Sequence, residues 1–194
     1  EDSIPTGNLF FSIDSYRRNT LMRLDEWRNT PYSPEFTLDF ESLYDTYNEF
    51  KVSRHLLDFI DMIEWALEAN VNLPTKVLFV DEFQDLSPLQ YIIIQRFMRG
   101  KQRVYCAGDD DQAIYRFQGA RPEIFLDLEC KESRVLPKSY RLPSKIWQTA
   151  KVLIDQNTNR QVKELQPREE GGVLKTLYYP IPDEVIAEID GLTY

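Results

Sequence analysis

Histidine occurs once and cysteine twice in these 194 residues, and both scarcities exclude chemistry. His55 has no second histidine with which to share a metal, so it reads as a helix-surface residue. Cys106 falls inside an apolar run and Cys130 in a turn region; two cysteines make no disulfide framework, and their spacing is wrong for zinc. Reduced thiols and a cytoplasmic setting are expected. No apolar run approaches the roughly 20 residues of a membrane-spanning helix, and nothing near Glu1 has a signal-peptide pattern, so no membrane partner is expected. Glycine is sparse, at seven residues. The only Gly-Lys pair, Gly100-Lys101, has Gln95 where a G-x-x-x-x-G-K-[ST] loop needs its first glycine, and Gln102 where it needs a hydroxyl. Basic residues are outnumbered, 23 against 32 acidic, for a net charge of −9. That balance counts against a freestanding nucleic-acid binder, whose footprint is a basic patch. Arg17, Arg18, Arg23 and Arg28 gather positive charge near the start, as a groove lining or equally as a solvated helix face.

With 42% hydrophobic and 13% aromatic residues, the chain can bury a core. Its most informative stretch is Val77-Leu78-Phe79-Val80-Asp81-Glu82-Phe83-Gln84-Asp85. Four apolar residues without polar alternation predict a strand covered on both faces, and ligands bind beyond the carboxyl ends of such strands. Asp81 there could hold a hard cation such as Mg²⁺ together with phosphate oxygens, and Glu82 could orient or deprotonate a water. The bland alternative is a pair of acids capping the next helix. A second copy of the design follows in Arg103-Val104-Tyr105-Cys106-Ala107-Gly108-Asp109-Asp110-Asp111-Gln112. Between the two, Pro88 to Met98 reads as a helix with Leu89, Ile92, Ile93 and Phe97 on its apolar face and Gly100 at its end. Strand, helix, strand predicts a parallel pair whose acidic turns open on one sheet edge.

These residues carry a family resemblance. Val80-Asp81-Glu82-Phe83-Gln84-Asp85-Leu86 resembles the Walker B motif of superfamily 1 DNA helicases of the UvrD/Rep/PcrA type. Ala107 to Ala120 resembles their third motif, Leu136 to Ser144 their fourth, and Leu57 to Ile63 the Asp-Phe-x-Asp-Leu-like stretch that precedes Walker B. The resemblance implies ATP and Mg²⁺ as cofactors, with Asp81 and Glu82 at the metal and Glu82 on the hydrolytic water. Gln112 is similar to the glutamine that touches the terminal phosphate, and Arg141 to a phosphate-contacting arginine, with Tyr140 against the base. Tyr115, Arg116, Phe117 and Gln118 match positions that contact single-stranded DNA, although many relatives carry arginine where this chain has Gln118. Aromatic core packing is the alternative for both rings.

The implied fold is α/β: part of a RecA-like P-loop NTPase parallel sheet with an N-terminal helical insertion subdomain. Residues 1–75 would be that subdomain, 76–143 the later half of the first RecA-like domain, and 144–194 the start of the second. Ser12 to Arg28 and Phe40 to Asn70 read as helices, the second with Leu56, Ile60, Ile63 and Leu67 at helical spacing. In the second domain, a helix is predicted over Ser144 to Asp155, a strand over Gly172 to Tyr179, and a last helix over Asp183 to Ile189 after Pro180 and Pro182. Without the phosphate loop and the family's last motifs, the chain reads as a central piece of a 3′–5′ helicase acting on single-stranded or 3′-tailed duplex DNA. It would work with the rest of the helicase polypeptide and be inactive as an ATPase alone. Two alternatives stay open: a non-catalytic helicase-like binding module, and a metal-dependent nuclease using Asp81, Glu82, Asp85, Asp109, Asp110 and Asp111 as a two-metal carboxylate cluster.

Overall fold

Residues 6–168 and 171–174 are described by the structure, a computed structural model. The chain divides into two units, one running to Lys131 and one beginning at Glu132, and both combine helices with a two-stranded parallel sheet.

In the first unit, helix α1 spans Thr6–Asn19 and ends well before the predicted Arg28. The Thr20 hydroxyl donates to the Tyr16 carbonyl at 2.7 Å, competing with the helix ladder, and Leu21 turns left-handed at φ +62°. A 3₁₀ turn over Leu24–Asn29 follows and carries Trp27 into the core. Leu9, Phe10 and Ile13 of α1 pack there with Trp27, Phe36 and Phe40, and the Trp27 and Phe40 rings stack at 5.1 Å. Each such side chain contributes about 1.5–3 kcal/mol by leaving water.

The predicted Phe40–Asn70 helix is two helices, α2 over Phe40–Arg54 and α3 over Phe59–Glu68. His55 breaks the run in a left-handed C-cap, φ +54°, and is exposed. Asp58 restarts it: its Oδ1 accepts the Ile60 and Asp61 N–H groups at 2.9 and 2.7 Å, while the Asp58 N–H donates to Asp61 Oδ2 at 2.9 Å. This reciprocal cap satisfies donors that would otherwise be orphaned. It also aims both carboxylates at two buried cations. Arg18 reaches Asp58 at 2.9 Å, Asp61 at 2.6 Å and Glu64 at 2.5 Å; Lys51 reaches Asp58 at 2.8 Å and Asp61 at 2.7 Å; Arg17 reaches Asp14 at 2.7 Å. Arg17 and Arg18 are therefore neither a groove lining nor a solvated face, as the sequence had left open. Arg17 pairs within α1 and Arg18 ties α1 to α3, because an unpaired buried charge is far more costly than a paired one.

Strand β1 (Val77–Val80), helix α4 (Pro88–Met98) and strand β2 (Arg103–Cys106) have the predicted bounds, and the strands pair in parallel from Val77↔Arg103 to Val80↔Cys106. Ser87 caps α4 in a capping box with Gln90, and Gly100 leaves the helix at φ +73°. Coverage on both faces is not found. Side chains alternate along a strand; Val80 is buried, but Phe79 is 74% exposed and stacks on Tyr105 at 4.9 Å on the face that Val77 shares. A short helix, α5 (Glu123–Leu126), places Phe125 against Phe83, ring centroids 5.7 Å apart.

The second unit holds β3 (Lys138–Pro143), α6 (Ser144–Ile154) and β4 (Gln166–Arg168), with β3 and β4 parallel but irregular between Lys138 and Pro143. Helix α6 agrees with the prediction to one residue. The unit's first strand is β3, ahead of the expected Gly172 to Tyr179; residues 172–174 form no strand, and 175–179 lie outside the described residues, as do Pro180, Pro182 and the helix expected over Asp183 to Ile189. Among the described residues, no helix is long and apolar enough to cross a membrane.

Candidate functional site

The in-register pairing of β1 and β2 ends at Val80↔Cys106, so Asp81 and Ala107 leave the sheet side by side. Hydrogen bonding continues into the turns: Ala107 N–H donates to the Val80 carbonyl at 2.8 Å, and Phe83 N–H to the Ala107 carbonyl at 3.0 Å. Buried Phe83 fixes the first turn from below. Glu82 sits in the left-handed region at φ +51°, ψ +41°, which costs a non-glycine residue on the order of 1–2 kcal/mol. Three bonds hold it there. Its N–H donates to Asp81 Oδ1 at 2.9 Å, its carbonyl accepts the Asp85 N–H at 3.0 Å, and its side-chain Oε2 accepts from Gln84 Nε2 at 2.8 Å. Asp81 and Glu82 are both exposed. Strain of this kind persists where surrounding structure enforces it, commonly at functional sites.

Gln84 is only 1% exposed. Its amide also donates to Asp85 Oδ2 at 3.2 Å, and its Oε1 accepts the Asp109 N–H at 3.0 Å. The second acidic turn thus bonds directly to the first. Gly108 makes the approach possible, since a Cβ there would fall 2.6 Å from Gln84 Oε1. Within the second turn, Asp109 accepts the Asp111 N–H on Oδ1 at 3.2 Å and the Gln112 side-chain amide on Oδ2 at 2.6 Å. Glu82, Gln84, Asp109 and Gln112 form one hydrogen-bonded chain. Burial, then the Glu82 charge beside it, pushes the Asp85 carboxyl above its ordinary range against the opposing pull of the Gln84 amide; its Oδ1 is buried without a hydrogen-bond partner.

The six carboxylates of the two-metal alternative do not gather into one tight group. Among the described residues, Asp109, Asp110 and Asp111 are the only set of three or more His, Cys, Asp or Glu side chains whose ligand atoms all lie within 4.8 Å of one another; Asp81, Glu82 and Asp85 do not join them.

Tyr115 and Phe117 lie on the surface, 42% and 56% exposed, with ring centroids 6.2 Å apart. Tyr32 supports the segment by donating its hydroxyl to the Phe117 carbonyl at 2.6 Å. Arg116 is held by Glu123 at 2.5 Å, and Gln118 is exposed. Gly119, at φ +94°, passes so close to α1 that a Cβ would meet Asn19 and Thr20 side-chain atoms at 3.1 Å. A cavity of about 200 Å³ opens here, lined by Asn19, Asp85, Ser87, Gln90, Tyr115 and Gln118. In the second unit, Tyr140 and Arg141 stand exposed on β3, with Lys138 Nζ 5.2 Å from the centre of the Tyr140 ring.

Sequence reading gave Gln84 no role and took Gly108 only as the break after a strand. A glutamine between acidic neighbours carries no periodic signal of burial, and the need for glycine arises only when the second turn docks on that amide.

Comparison with known proteins shows the family. Residues 10–132, well over half the chain, match the UvrD/REP helicase N-terminal domain. YjcD of Bacillus subtilis (strain 168), provisionally named an ATP-dependent DNA helicase, is 29% identical across 84% of this chain and 24% of its own length. DNA helicase II of Escherichia coli (strain K12) is 33% identical across 65% of this chain and 19% of its own, and the ATP-dependent DNA helicase PcrA of B. subtilis (strain 168) is 29% identical across 71% and 20%. The chain spans about a quarter or less of the length of these curated relatives. With the family domain matched over residues 10–132, both acidic turns included, the chain belongs to the UvrD/Rep helicase family.

Proposed function

We propose that this chain is the central part of an ATP-dependent DNA helicase that couples hydrolysis of Mg-ATP to 3′–5′ movement on single-stranded DNA and to unwinding of 3′-tailed duplex. One observation carries the reading: parallel register delivers Asp81 and Glu82 to the same sheet edge as Gln112, and the Gln84–Asp109 bond holds the two turns together. Residues 1–75 serve as the helical insertion, 76–143 as the later half of a RecA-like domain, and 144–194 as the start of a second. The rest of the helicase polypeptide supplies the phosphate-cradling loop and the family's last motifs.

The donor set suits Mg²⁺, since Asp81 and Glu82 offer hard carboxylate oxygens at an exposed strand exit. Asp81 and Glu82 would hold the ion, which would supply neutralisation of the phosphate charge. Glu82 orients the attacking water and accepts its proton, for which its fixed backbone matters. Gln112 keeps one amide N–H on Asp109 and offers the other to a terminal phosphate oxygen. Arg141 brings a permanently charged, forked donor to the equatorial phosphate oxygens, and Tyr140 lies against the base. Tyr115 and Phe117 stack unpaired bases, with Arg116 and Gln118 along the DNA backbone. Changing Glu82→Gln in the complete protein keeps the size of the side chain and removes the proton acceptor. Nucleotide binding should persist while turnover falls by about 10²–10⁴-fold, the usual contribution of a positioned base. Normal turnover would refute the assignment.

A further inference from the structure

We infer that Gln84 is a positioning residue that makes the two acidic turns a single mechanical part, so that the carboxylate set on the water and the amide set on the terminal phosphate keep one geometry. The inference rests on the proposed ATP-hydrolysing role of Glu82 and deepens it by naming the group that aims Glu82.

Three observations support it independently. Gln84 is among the few fully buried large side chains, at 1% exposure, although it is polar and lies between exposed Glu82 and half-buried Asp85. Burying an amide is costly unless its donors and acceptor are matched, and here every contact runs to the site: Glu82 Oε2 at 2.8 Å, Asp85 Oδ2 at 3.2 Å and the Asp109 N–H at 3.0 Å. Gly108 leaves the amide just enough room, because a Cβ would sit 2.6 Å from Oε1 and 3.2 Å from the Phe83 backbone nitrogen. Asp109 then passes the constraint on by accepting from Gln112 at 2.6 Å. A glutamine serving only to fill the core would have no reason to grip the side chain of an exposed carboxylate. Glu82 moreover occupies a strained left-handed backbone conformation, which without a side-chain anchor would leave its carboxylate free to swing.

The geometry gives two separate ways to disturb the same bond. Gln84→Met keeps the shape and removes both the donor and the acceptor. Gly108→Ala keeps Gln84 and pushes its amide off Asp109. Each is made in the complete protein and measured for ATP hydrolysis, for affinity toward a non-hydrolysable ATP analogue with Mg²⁺, and for thermal midpoint; exchange of the Asp109 amide proton reports the bond itself. The expected result is a kcat about 100-fold lower in both variants, the loss that a misplacement near 1 Å can bring, with analogue affinity within twofold and faster Asp109 exchange. If the unmodified protein hydrolyses ATP and both variants keep kcat within twofold, the inference is overturned and the proposed function stands. If kcat falls only in step with analogue affinity and thermal midpoint, Gln84 is a packing residue and the inference is again overturned. No hydrolysis by the unmodified protein would overturn both.

Discussion

Replacing Asp58 with asparagine tests whether the ion pairs among α1, α2 and α3 stabilise the fold. Burial alone would raise the Asp58 carboxyl, but the Lys51 hydrogen bond, the Asp61 backbone N–H and the charges of Arg18 and Lys51 outweigh it and hold the group down to about 2 from an ordinary 3.8. A difference of that size corresponds to at most about 2.5 kcal/mol. The side chain is 24% exposed, and solvent screening lowers the figure to on the order of 1–2 kcal/mol. The full 3–5 kcal/mol of a broken buried pair is not expected, because Asp61 and Glu64 still face Arg18 and asparagine remains a good N-cap. The sign follows from the depressed value: the stabilisation is complete above pH 3.8 and disappears as pH falls toward 2. Thermal unfolding, followed by Trp27 fluorescence with Trp65 and Trp147 changed to phenylalanine, should therefore show Asp58→Asn melting roughly 2–8 °C lower near pH 7. The two curves should draw together as pH falls from about 4 to about 2 and meet below that, where both side chains are neutral. A gap that stays constant down to pH 2 would show that the cap or the packing, and not the charge, is what asparagine loses.

Two further outcomes follow from the same geometry. Tyr115→Ala and Phe117→Ala, made singly in the complete protein, should each weaken single-stranded DNA binding by about 1–3 kcal/mol in a fluorescence titration without changing its salt slope; unchanged affinity in both would remove the stacking assignment. Gly119→Ala should destabilise the first unit by more than about 1 kcal/mol in urea unfolding, since its φ of +94° disfavours any Cβ and that Cβ would meet Asn19 and Thr20 at 3.1 Å; wild-type stability would show that α1 can give way.

Local order was legible where chemistry repeats at short range. The apolar run Val77 to Val80, the apolar face running from Pro88 to Met98 and Gly100 beyond it fixed β1 and α4 to the residue. The break in the Phe40–Asn70 run was also present in the sequence, as the Asp58-x-x-Asp61 pair, but a helical apolar pattern running across it hid the cap. Other features were not legible because they depend on distant partners. Burial of Arg18 is decided by carboxylates forty or more positions away. Exposure of Phe79 depends on which elements reach that face of the sheet, which the strand's own residues do not encode. Parallel pairing brought Asp81, Glu82 and Gln112 to one edge as their spacing implied, whereas the amide that joins the turns emerged only from the fold.

Net charge alone misdescribes how such a chain could meet DNA. Three of its basic residues, Arg17, Arg18 and Lys51, are buried against Asp14, Asp58, Asp61 and Glu64, so they contribute nothing to an outward field, and the remaining surface is still acidic. Within the exposed aromatic segment, Arg116 is already engaged by Glu123. A phosphate would have to compete for that guanidinium, and the gain would be small in salt. The attraction this segment can offer therefore lies in its rings. Stacking on Tyr115 and Phe117 is available to any base, because every base presents a π face. Such a contact is indifferent to sequence and can be broken without separating an ion pair, two properties that suit the proposed movement along single-stranded DNA.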